Sequence, residues 1–454
     1  MDNKKIIIIG AVASGSKCAF KLKRERPEFN IVIYTADDMV SYSSCGLPFF
    51  IGGQIKDGKS LVIRQPEAYL QAGIDLHLKH KLLSIDTKNK TVEILDTEKN
   101  KKFTDSYDKL VLATGARPFI PETENSDLEN IFTLRTIHDG IKIREQMLKS
   151  KTALIIGGGY IGIELLEAFI KNGLNVKLVE FSEHIMSLFD NDIATIIEKH
   201  ITDNYGDKVE IITSDCVKKF TGENGKVTGA ITKNGREIQT DMVIFSVGVV
   251  PNTEYLAGTK IKTGIKNSIC VNKYLQTNVE DIYAIGDCAE KTNLVSNTPC
   301  WIPLGSTANK EGRCCAINLA GTAEEFPGVL GSAVTRFLGF TMSITGLTET
   351  AAKKAGYEVA TETVTKKDKA GYMPEVKNIT IKVTADRING KILGAQAIGC
   401  GDADKRVNTV AAALNDGKKV QDLINLDMTY APPYSPTIDP LLTSFMNLKE
   451  KLKN

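Results

Sequence analysis

Two segments of the chain share one pattern of apolar and polar positions. In each, a short apolar run leads through a glycine turn into a helical pattern, and a second apolar run follows. The first copy begins at residue 5 and the second at residue 151, with Gly10 and Gly157 in equivalent places. Strand, turn, helix and strand in this order form the unit of a parallel doubly wound sheet. The pattern therefore predicts an α/β chain with two such units.

Further segments complete the predicted organisation. Short alternating segments, typical of antiparallel strands, follow each unit at 92–95, 227–231 and 239–245. Beyond the glycine-containing stretch 321–331, the strand-like runs are 332–338, 341–346, 379–383 and 394–398, with a helical pattern at 404–415. The C-terminal part is therefore predicted to be a separate α+β domain that ends in a charged tail, 448–454.

The size and charge of the chain limit the kinds of protein that it can be. Its 454 residues are enough for about three domains of roughly 150 residues each. Its 57 Lys and Arg against 55 Asp and Glu give a net charge of +2, which argues against a dedicated nucleic-acid binder. No apolar run approaches the ~18 residues of a membrane span, so we expect no membrane partner.

Cysteine and histidine usage excludes several kinds of site. The nine cysteines are scattered without a Cys-x-x-Cys pair, which argues against a secreted disulfide framework and a zinc site, so no metal is predicted. A reducing cytoplasm fits this usage best. All five histidines precede residue 201, so no histidine of the C-terminal half can act. Residues 4–13 also have the outline of a short secretory signal, but we favour a buried first strand.

The second glycine turn has the spacing of a dinucleotide site. Gly157, Gly159 and Gly162 follow a strand and open a helix, where backbone N–H groups can meet a pyrophosphate. Glu180 closes the next strand, in the position of a carboxylate that binds an adenosine ribose and repels a 2′-phosphate. We therefore expect NADH here, with NADPH less favoured. The alternative is a tight strand–helix turn with a surface glutamate.

The first glycine turn is less regular. Gly10 and Gly15 are present, but Val12 occupies the place of the middle glycine and Thr35 the place of the ribose acid. Thr35 can still hydrogen-bond a hydroxyl. A later strand at 282–285 ends in Gly286 and Asp287, whose carboxylate can bind a ribitol hydroxyl of a flavin. This third segment supports a dinucleotide site at the first turn.

These segments together resemble the FAD- and NAD(P)-dependent pyridine nucleotide–disulfide oxidoreductase family. The matching motifs are the first glycine turn, LVLATGARP at 110–118, GGGYIGIE at 157–164, SVGVVPNT at 246–253 and AIGDCAE at 284–290. The resemblance implies two glutathione-reductase-like dinucleotide-binding domains, for FAD and NADH, and a C-terminal dimerisation domain in a homodimer. It implies an FAD-binding domain at 1–117 and 252–322, an NAD-binding domain at 118–251 and a dimerisation domain at 323–454.

The resemblance also assigns cofactor residues. In such proteins the residue at Tyr160 sits over the flavin and moves when nicotinamide arrives, and Glu164 lies close by. The implied cofactor-binding residues are Gly10, Val12, Gly15, Thr35, Thr114, Gly115, Gly286 and Asp287, together with Gly157, Gly159, Tyr160, Gly162, Glu164 and Glu180.

Cys45 is the candidate redox residue. It precedes Gly-Leu-Pro, where a helix is expected to start, and a helix N-terminus lowers the pKa of a thiol. The alternative is a buried, inert cysteine. Family members with an internal redox disulfide carry a second cysteine five residues on, where this chain has Phe50. The resemblance therefore implies the single-cysteine branch of the family.

One position indicates which single-cysteine enzymes the chain resembles most. The oxidases and peroxidases of the family carry a histidine where this chain has Ala13, so GAVASG is more similar to coenzyme A-disulfide reductases, although these usually have glycine at Ser14. The expected activity is transfer of hydride from NAD(P)H via FAD to Cys45, which reduces coenzyme A disulfide, coenzyme A persulfide or a related small disulfide. The alternatives are an NADH oxidase reducing dioxygen at the flavin and an NADH-sensing flavoprotein.

Two tyrosines and a basic cluster complete the predicted site. Tyr372 and Tyr430 match the tyrosine motifs of coenzyme A-disulfide reductases, where they reach the cysteine from the partner subunit; a phenol can protonate a leaving thiolate. Alternatively, they are interface anchors only. The candidate residues for binding the substrate's phosphates are Lys17, Lys21, Arg24, Ser41 and Arg64. Here the alternative is a solvated helix face.

Overall fold

A computed structural model describes residues 3–453. Its first sheet is parallel and five-stranded, with the strand of the first glycine turn at its centre. The strands in spatial order are Ile282–Ala284, Lys109–Leu112, Lys5–Ile9, Asn30–Tyr34 and Asp75–His77. Helices Ser14–Glu25 and Gly305–Leu319 pack against each other beside this sheet. A strand from residues beyond 280 thus joins the sheet of the first unit, as the family architecture implies.

The second unit forms another parallel five-stranded sheet. Its strands in spatial order are Val209–Ile212, Asn175–Val179, Thr152–Ile156, Val243–Phe245 and Ile131–Thr133. Its helices are Ile137–Met147, Tyr160–Lys171 and Asn191–Tyr205. The central strands of both sheets are buried on both faces, which is why their sequences are continuous apolar runs rather than alternating ones.

Small antiparallel sheets are attached to each unit. One contains His80–Asp86, Thr91–Asp96 and Lys101–Ser106, and the other contains Val217–Glu223, Lys226–Thr232 and Glu237–Gln239. The predicted strands at 92–95 and 227–231 are confirmed. The single strand predicted at 239–245 is wrong: a break at 240–242 separates Glu237–Gln239 from the buried parallel strand Val243–Phe245. Two two-stranded sheets pair Ala116–Pro118 with Val249–Pro251 and Lys291–Thr292 with Pro299–Cys300.

The C-terminal domain is an antiparallel five-stranded sheet with helices. Its strands in spatial order are Ala333–Phe337, Phe340–Gly346, Ile392–Cys400, Asn378–Asp386 and Val359–Lys367. Its helices are Glu349–Lys354, Ala403–Asn415, Val420–Leu423 and Pro440–Leu452. The predicted charged tail is instead the end of the last helix, since Leu441, Phe445 and Leu448 recur at helical spacing and are fully buried.

The remaining elements are short. Helices Leu47–Ile51 and Pro66–Gln71 and 3₁₀ turns at Ser44–Gly46, Gly58–Leu61, Glu254–Leu256, Ile265–Asn267 and Gly286–Cys288 connect the main ones. None of the helices between residues 3 and 453 is long and apolar enough to cross a membrane.

Candidate functional site

The first glycine turn lies where the central strand of the first sheet ends. Gly10 has φ 104°, and a Cβ there would lie 2.3 Å from the carbonyl oxygen of Ala113. A Cβ on Gly15 would lie 1.9 Å from the carbonyl oxygen of Gly10. Both positions therefore require glycine, and they bring the N-terminus of helix Ser14–Glu25 against the strand end, where an anionic group is favoured. Val12 lies in this turn, partly buried.

The second glycine turn repeats the same geometry. A Cβ on Gly162 would lie 2.1 Å from the carbonyl oxygen of Gly157, whereas a Cβ on Gly159 would meet nothing within 4 Å. Gly162 thus serves close packing of the helix on the strand, and Gly159 leaves space in front of the helix N-terminus. That space suits a pyrophosphate. The sequence prediction of two equivalent turns agrees with this geometry.

The residues at the ends of the second strands differ between the units. The Glu180 carboxylate accepts hydrogen bonds from the backbone N–H groups of Gly158, at 2.7 Å, and Ser182, at 2.8 Å. It is thereby held beside the glycine turn. Thr35, the equivalent residue of the first unit, is buried, and its backbone N–H donates to His77 O. The Thr114 hydroxyl, near the end of strand Lys109–Leu112, donates to Asn252 O, and Gly115 follows it.

Asp287 brings together residues that are far apart in the sequence. It follows Gly286, which has φ 78° and lies against Ser14. An Arg135 Nη donates to the Asp287 carboxylate at 2.9 Å, and Trp301 Nε1 donates to Asp287 O at 2.8 Å. Sequence reasoning missed Arg135 and Trp301 because neither lies in a motif. Only the folded chain places them beside the motif residue.

Tyr160 and Glu164 occupy the same helix, one turn apart. The Tyr160 hydroxyl is buried and has no hydrogen-bond partner within residues 3–453, and burial raises the pKa of its phenol. Burial also raises the pKa of Glu164, whose carboxylate accepts a hydrogen bond from Thr335 at 3.0 Å. A buried hydroxyl without a partner marks a place where another group completes the site. Together with the glycine cradles, this fits a bound flavin dinucleotide.

Cys45 lies in the 3₁₀ turn Ser44–Gly46, which leads directly into helix Leu47–Ile51. A Cβ on Gly305 would lie 3.9 Å from Cys45 Sγ, so the helix starting at Gly305 begins beside the thiol. The side chain is exposed and forms no disulfide. Its position in a cleft between these three elements, rather than in packed core, argues against the alternative of a buried, inert cysteine, and its reactivity stays a prediction.

The predicted lowering of the Cys45 pKa is not what the structure indicates. Withdrawal from bulk water by the cleft walls raises the pKa of the thiol, and the nearby carboxylates of Glu164 and Asp287 raise it further. A hydrogen bond with Ser44 and the charge of Arg135 act in the opposite direction and are weaker. The helix that follows has only five residues, so its dipole is small. In the chain alone, the thiol form is therefore favoured.

This arrangement predicts that replacing Glu164 by glutamine makes Cys45 more reactive. Removing a negative charge near the sulfur favours the thiolate, so the pKa falls and the thiolate fraction at pH 7.5 rises. We expect the apoprotein to be alkylated by iodoacetamide roughly two- to tenfold faster at that pH. Labelling followed by intact-protein mass spectrometry measures the rate. Glu167→Gln, on the same helix, is the control, and equal rates in both variants would contradict the assigned contact.

Tyr372 and Tyr430 lie in two loops of the C-terminal domain that contact each other. The Ala370 backbone N–H donates to Pro432 O at 3.1 Å, which joins the loops. The tyrosine side chains are 76% and 50% exposed, respectively, which is unusual for large aromatic groups. No hydrogen bond within residues 3–453 joins either side chain to Cys45. The structure thus brings the two tyrosines into one region of the surface, away from packed core.

A buried ion pair fixes the segments that carry these tyrosines. Arg406 is 1% exposed, and its guanidinium donates to the Asp439 carboxylate at 3.0 and 3.1 Å and to Asp368 O at 3.0 Å. Asp368 precedes the first loop and Asp439 follows the second. The loops are therefore anchored at their bases while the phenols remain exposed.

The predicted basic residues are only partly brought together. Lys17, Lys21 and Arg24 lie on helix Ser14–Glu25, but Lys21 forms an ion pair with Glu25. The Arg64 guanidinium lies 4.8 Å from the centre of the Phe20 ring, which fixes it beside this helix. Sequence reasoning missed Phe20, since an aromatic residue on a basic helix carries no signal by itself.

Ser41 is buried rather than exposed to a ligand. Its backbone N–H donates to Ala11 O at 2.8 Å, and its φ is 49°. It hydrogen-bonds the Tyr69 phenol, which also contacts Ser16. Ser41 therefore holds the loop before Cys45 against the first glycine turn. Among the described residues, no group of three or more His, Cys, Asp and Glu side chains is arranged to hold a metal ion.

The chain matches one known protein family over most of its length. Residues 4–312 match the pyridine nucleotide-disulphide oxidoreductase family, and residues 332–441 match the dimerisation domain of that family. The NAD(P)H sulfur oxidoreductase (CoA-dependent) of Pyrococcus furiosus is 35% identical over 99% of this chain and 100% of its own length. The NADH oxidase of Methanocaldococcus jannaschii is 32% identical over 99% of this chain and 100% of its own length.

Two further similarities concern coenzyme A disulfide reductases. The coenzyme A disulfide reductase of Staphylococcus aureus is 33% identical over 95% of this chain and 96% of its own length. The crystal structure of reduced Bacillus anthracis CoADR-RHD superposes with a TM-score of 0.95 at 32% identity, covering 100% of this chain and 81% of that one. The predicted fold class and family resemblance are confirmed by these matches.

Proposed function

Because the chain belongs to the pyridine nucleotide-disulphide oxidoreductase family, we propose that it uses NADH to reduce coenzyme A disulfide or coenzyme A persulfide through Cys45. It is an FAD-dependent NAD(P)H oxidoreductase, as the family and its relatives establish. The observation that carries the choice of acceptor is the accessible cysteine of the cleft, with Phe50 where an internal disulfide would need its second sulfur. When a single cysteine reduces a disulfide, it forms the mixed disulfide with the substrate's own sulfur.

The chain's own residues hold the two cofactors in this proposal. Gly10 and Gly15 let helix Ser14–Glu25 pack closely on its strand, so its N-terminus would face the FAD pyrophosphate, and the Asp287 carboxylate would accept a hydrogen bond from the flavin's ribitol chain. Gly159 would leave space for the NADH pyrophosphate, and Glu180 would favour a ribose hydroxyl over a 2′-phosphate. FAD, when bound, supplies the transfer of two electrons from the nicotinamide to a sulfur beside its ring.

Cys45 acts as the nucleophile. Its thiolate attacks one sulfur of the disulfide, the substrate's S–S bond breaks, and a mixed disulfide forms between Cys45 and coenzyme A. The leaving thiolate takes a proton from Tyr430 of a partner subunit, with Tyr372 beside it. The net reaction consumes one NADH and one proton and yields two thiols, or one thiol and hydrogen sulfide from a persulfide.

The proposed assembly is a homodimer. The match to the dimerisation domain and the exposure of two tyrosines on anchored loops support it. Lys17 and Arg24 lie on helix Ser14–Glu25, Arg64 lies beside that helix on Phe20, and all three are proposed to contact coenzyme A phosphates. Lys21 contributes less, because Glu25 already neutralises its charge.

Replacing Tyr430 by phenylalanine tests the proton donor. We expect the kcat for coenzyme A disulfide to fall about 10- to 100-fold with KM little changed, because the leaving thiolate loses its proton source but the ring still fills its place. Tyr434→Phe is the matched control, since Tyr434 lies in the same loop and is also exposed. Equal kcat values in the parent protein and Tyr430→Phe, measured by NADH oxidation, would leave Tyr430 as an interface anchor only.

An NADH oxidase is the second candidate function. The observation in its favour is the full-length similarity to a relative named NADH oxidase. Reduced flavin can pass electrons to dioxygen without a cysteine, so this activity requires no residue beyond the cofactor sites. The two functions therefore differ in their dependence on Cys45.

The deciding experiment compares acceptors with the purified holoenzyme. NADH consumption is measured without oxygen in the presence of coenzyme A disulfide, coenzyme A persulfide or glutathione disulfide, and then in air without any disulfide. The proposal expects a kcat/KM for a coenzyme A acceptor at least about tenfold above that for glutathione disulfide and for oxygen. Faster turnover with oxygen supports the oxidase, and tight NADH binding without turnover supports a sensing role.

A further inference from the structure

A buried ion pair lies directly behind the turn that carries Asp287. Lys291 and Glu311 have side chains that are 1% and 0% exposed, and Lys291 Nζ lies 3.4 Å from Glu311 Oε1. Lys291 follows the turn in the sequence, whereas Glu311 comes from helix Gly305–Leu319. A buried pair of this kind adds little stability by itself, because both charges lose their hydration. The role of the pair is therefore judged from the backbone groups to which it is hydrogen-bonded.

The pair binds both backbone groups of one residue, Gly286, and so holds the two peptide units that meet there. The Gly286 backbone N–H donates to Glu311 Oε2 at 2.6 Å, and Lys291 Nζ donates to Gly286 O at 2.7 Å. Lys291 Nζ also donates to Ala289 O at 2.8 Å. Asp287 and Cys288 lie between Gly286 and Ala289 in the sequence. The pair thus binds the backbone on both sides of the carboxylate proposed to bind the flavin.

Besides this pair, the turn is held by the Ala289 N–H, which donates to Gly286 O at 3.1 Å, and by Trp301 Nε1, which donates to Asp287 O. Gly286 has φ 78°, a left-handed conformation that glycine adopts easily but does not enforce. A Cβ on Gly286 would lie 2.5 Å from Ser14 Oγ, so the turn is pressed against the helix N-terminus of the first glycine turn. Small rotations of this peptide would move Asp287 relative to that helix. The hydrogen bonds of Gly286 with Lys291 and Glu311 oppose these rotations.

We infer that Lys291 and Glu311 are positioning residues for FAD. They hold the backbone N–H and C=O of Gly286, so that the Asp287 carboxylate keeps its place beside Arg135. This inference rests on the FAD part of the proposed function and not on the identity of the electron acceptor. Neither residue belongs to a motif that points to the flavin. Both act through the backbone, without contact to substrate.

The test measures FAD binding rather than turnover. Lys291→Met removes the ammonium group that donates to Gly286 O and Ala289 O, and the apoprotein is expected to bind FAD about tenfold more weakly or worse, as judged by flavin fluorescence on titration. Glu311→Gln retains an oxygen acceptor for the Gly286 N–H and is expected to weaken binding less. Binding of FAD by Lys291→Met as tight as in the parent protein would overturn the inference.

A matched control separates positioning from general stability. Lys382 is also buried and paired, with Asp190 at 3.2 Å and Glu349 at 2.8 Å, but it lies in the C-terminal domain away from the Gly286 turn. Lys382→Met is expected to lower the thermal midpoint and leave the FAD dissociation constant within about twofold. If Lys382→Met and Lys291→Met weaken FAD binding equally, the pair of Lys291 and Glu311 contributes only to the general stability of the protein.

The double variant Lys291→Met/Glu311→Gln removes both charges. It relieves the unpaired buried carboxylate, so its thermal midpoint should recover toward that of the parent protein. Its FAD affinity should stay as weak as that of Lys291→Met, because the hydrogen bonds of Lys291 to Gly286 O and Ala289 O are still missing. Recovery of both quantities together would contradict a positioning role. If the parent protein binds FAD normally but does not reduce coenzyme A disulfide, the proposed function fails and this inference does not.

Discussion

The Cys45→Ser variant is expected to lose NADH-dependent disulfide reduction by about 10³-fold or more. A serine hydroxyl is hardly ionised at neutral pH and cannot form a mixed disulfide with a substrate sulfur. The cofactor sites do not include this side chain, so FAD content and the bleaching of flavin absorbance by NADH should be unchanged. Anaerobic stopped-flow measurement of flavin reduction, followed by steady-state turnover with coenzyme A disulfide, separates the two half-reactions.

Another cysteine provides the control for this variant. Cys216 is partly exposed, but it precedes strand Val217–Glu223 in the small antiparallel sheet attached to the second unit. Cys216→Ser should retain full disulfide turnover. If Cys45→Ser also retained it, the sulfur would have no part in electron transfer, and direct reaction of an acceptor at the flavin would replace the proposed mechanism.

The Gly162→Ala variant is expected to slow flavin reduction by NADH about 10²-fold. The added Cβ would lie 2.1 Å from the carbonyl oxygen of Gly157, so helix Tyr160–Lys171 must move away from its strand. This displaces the N–H groups proposed to bind the NADH pyrophosphate and shifts Tyr160 with them. A displacement of about 1 Å is enough for such a loss. Titration of flavin reduction rate against NADH concentration measures it.

The Gly15→Ala variant provides the reciprocal comparison. Its Cβ would lie 1.9 Å from the carbonyl oxygen of Gly10, in the equivalent turn of the first unit. Gly15→Ala should therefore lose FAD during purification, whereas Gly162→Ala should retain it. Loss of FAD from both variants to the same extent would mean that the two turns do not serve separate cofactors.

Much of the cofactor architecture could be predicted from short segments. Gly15 and Gly162 each lie five residues from the carbonyl oxygen that requires glycine, so the local sequence contains that constraint, whereas Gly10 and Gly157 meet Ala113 O and Ser246 O from distant strands. Glu180 likewise accepts its hydrogen bonds from residues close to its own strand end or to the glycine turn. The domain limits and the roles of the individual site residues stay predictions.

The environment of Cys45 could not be predicted from its neighbours in sequence. The motif around it indicates a helix start and hence a lowered pKa, but Glu164 and Asp287 come from other elements and act in the opposite direction. Similarly, a break too short to recognise divides 239–245 between two sheets, and the lysines that follow Leu448 suggest a tail although the helix continues to Leu452.

The amino-acid sequence by itself determined the two strand–turn–helix units and the family, because each motif depends on residues close together in the chain, and it predicted Cys45 as the redox residue. Tertiary structure alone decided the partners of Asp287, the raised pKa of Cys45 and the pairing of Lys291 with Glu311. Arg135 lies 152 residues from Asp287 along the chain. Charges and hydrogen bonds act through space, and only folding brings such residues within a few ångströms.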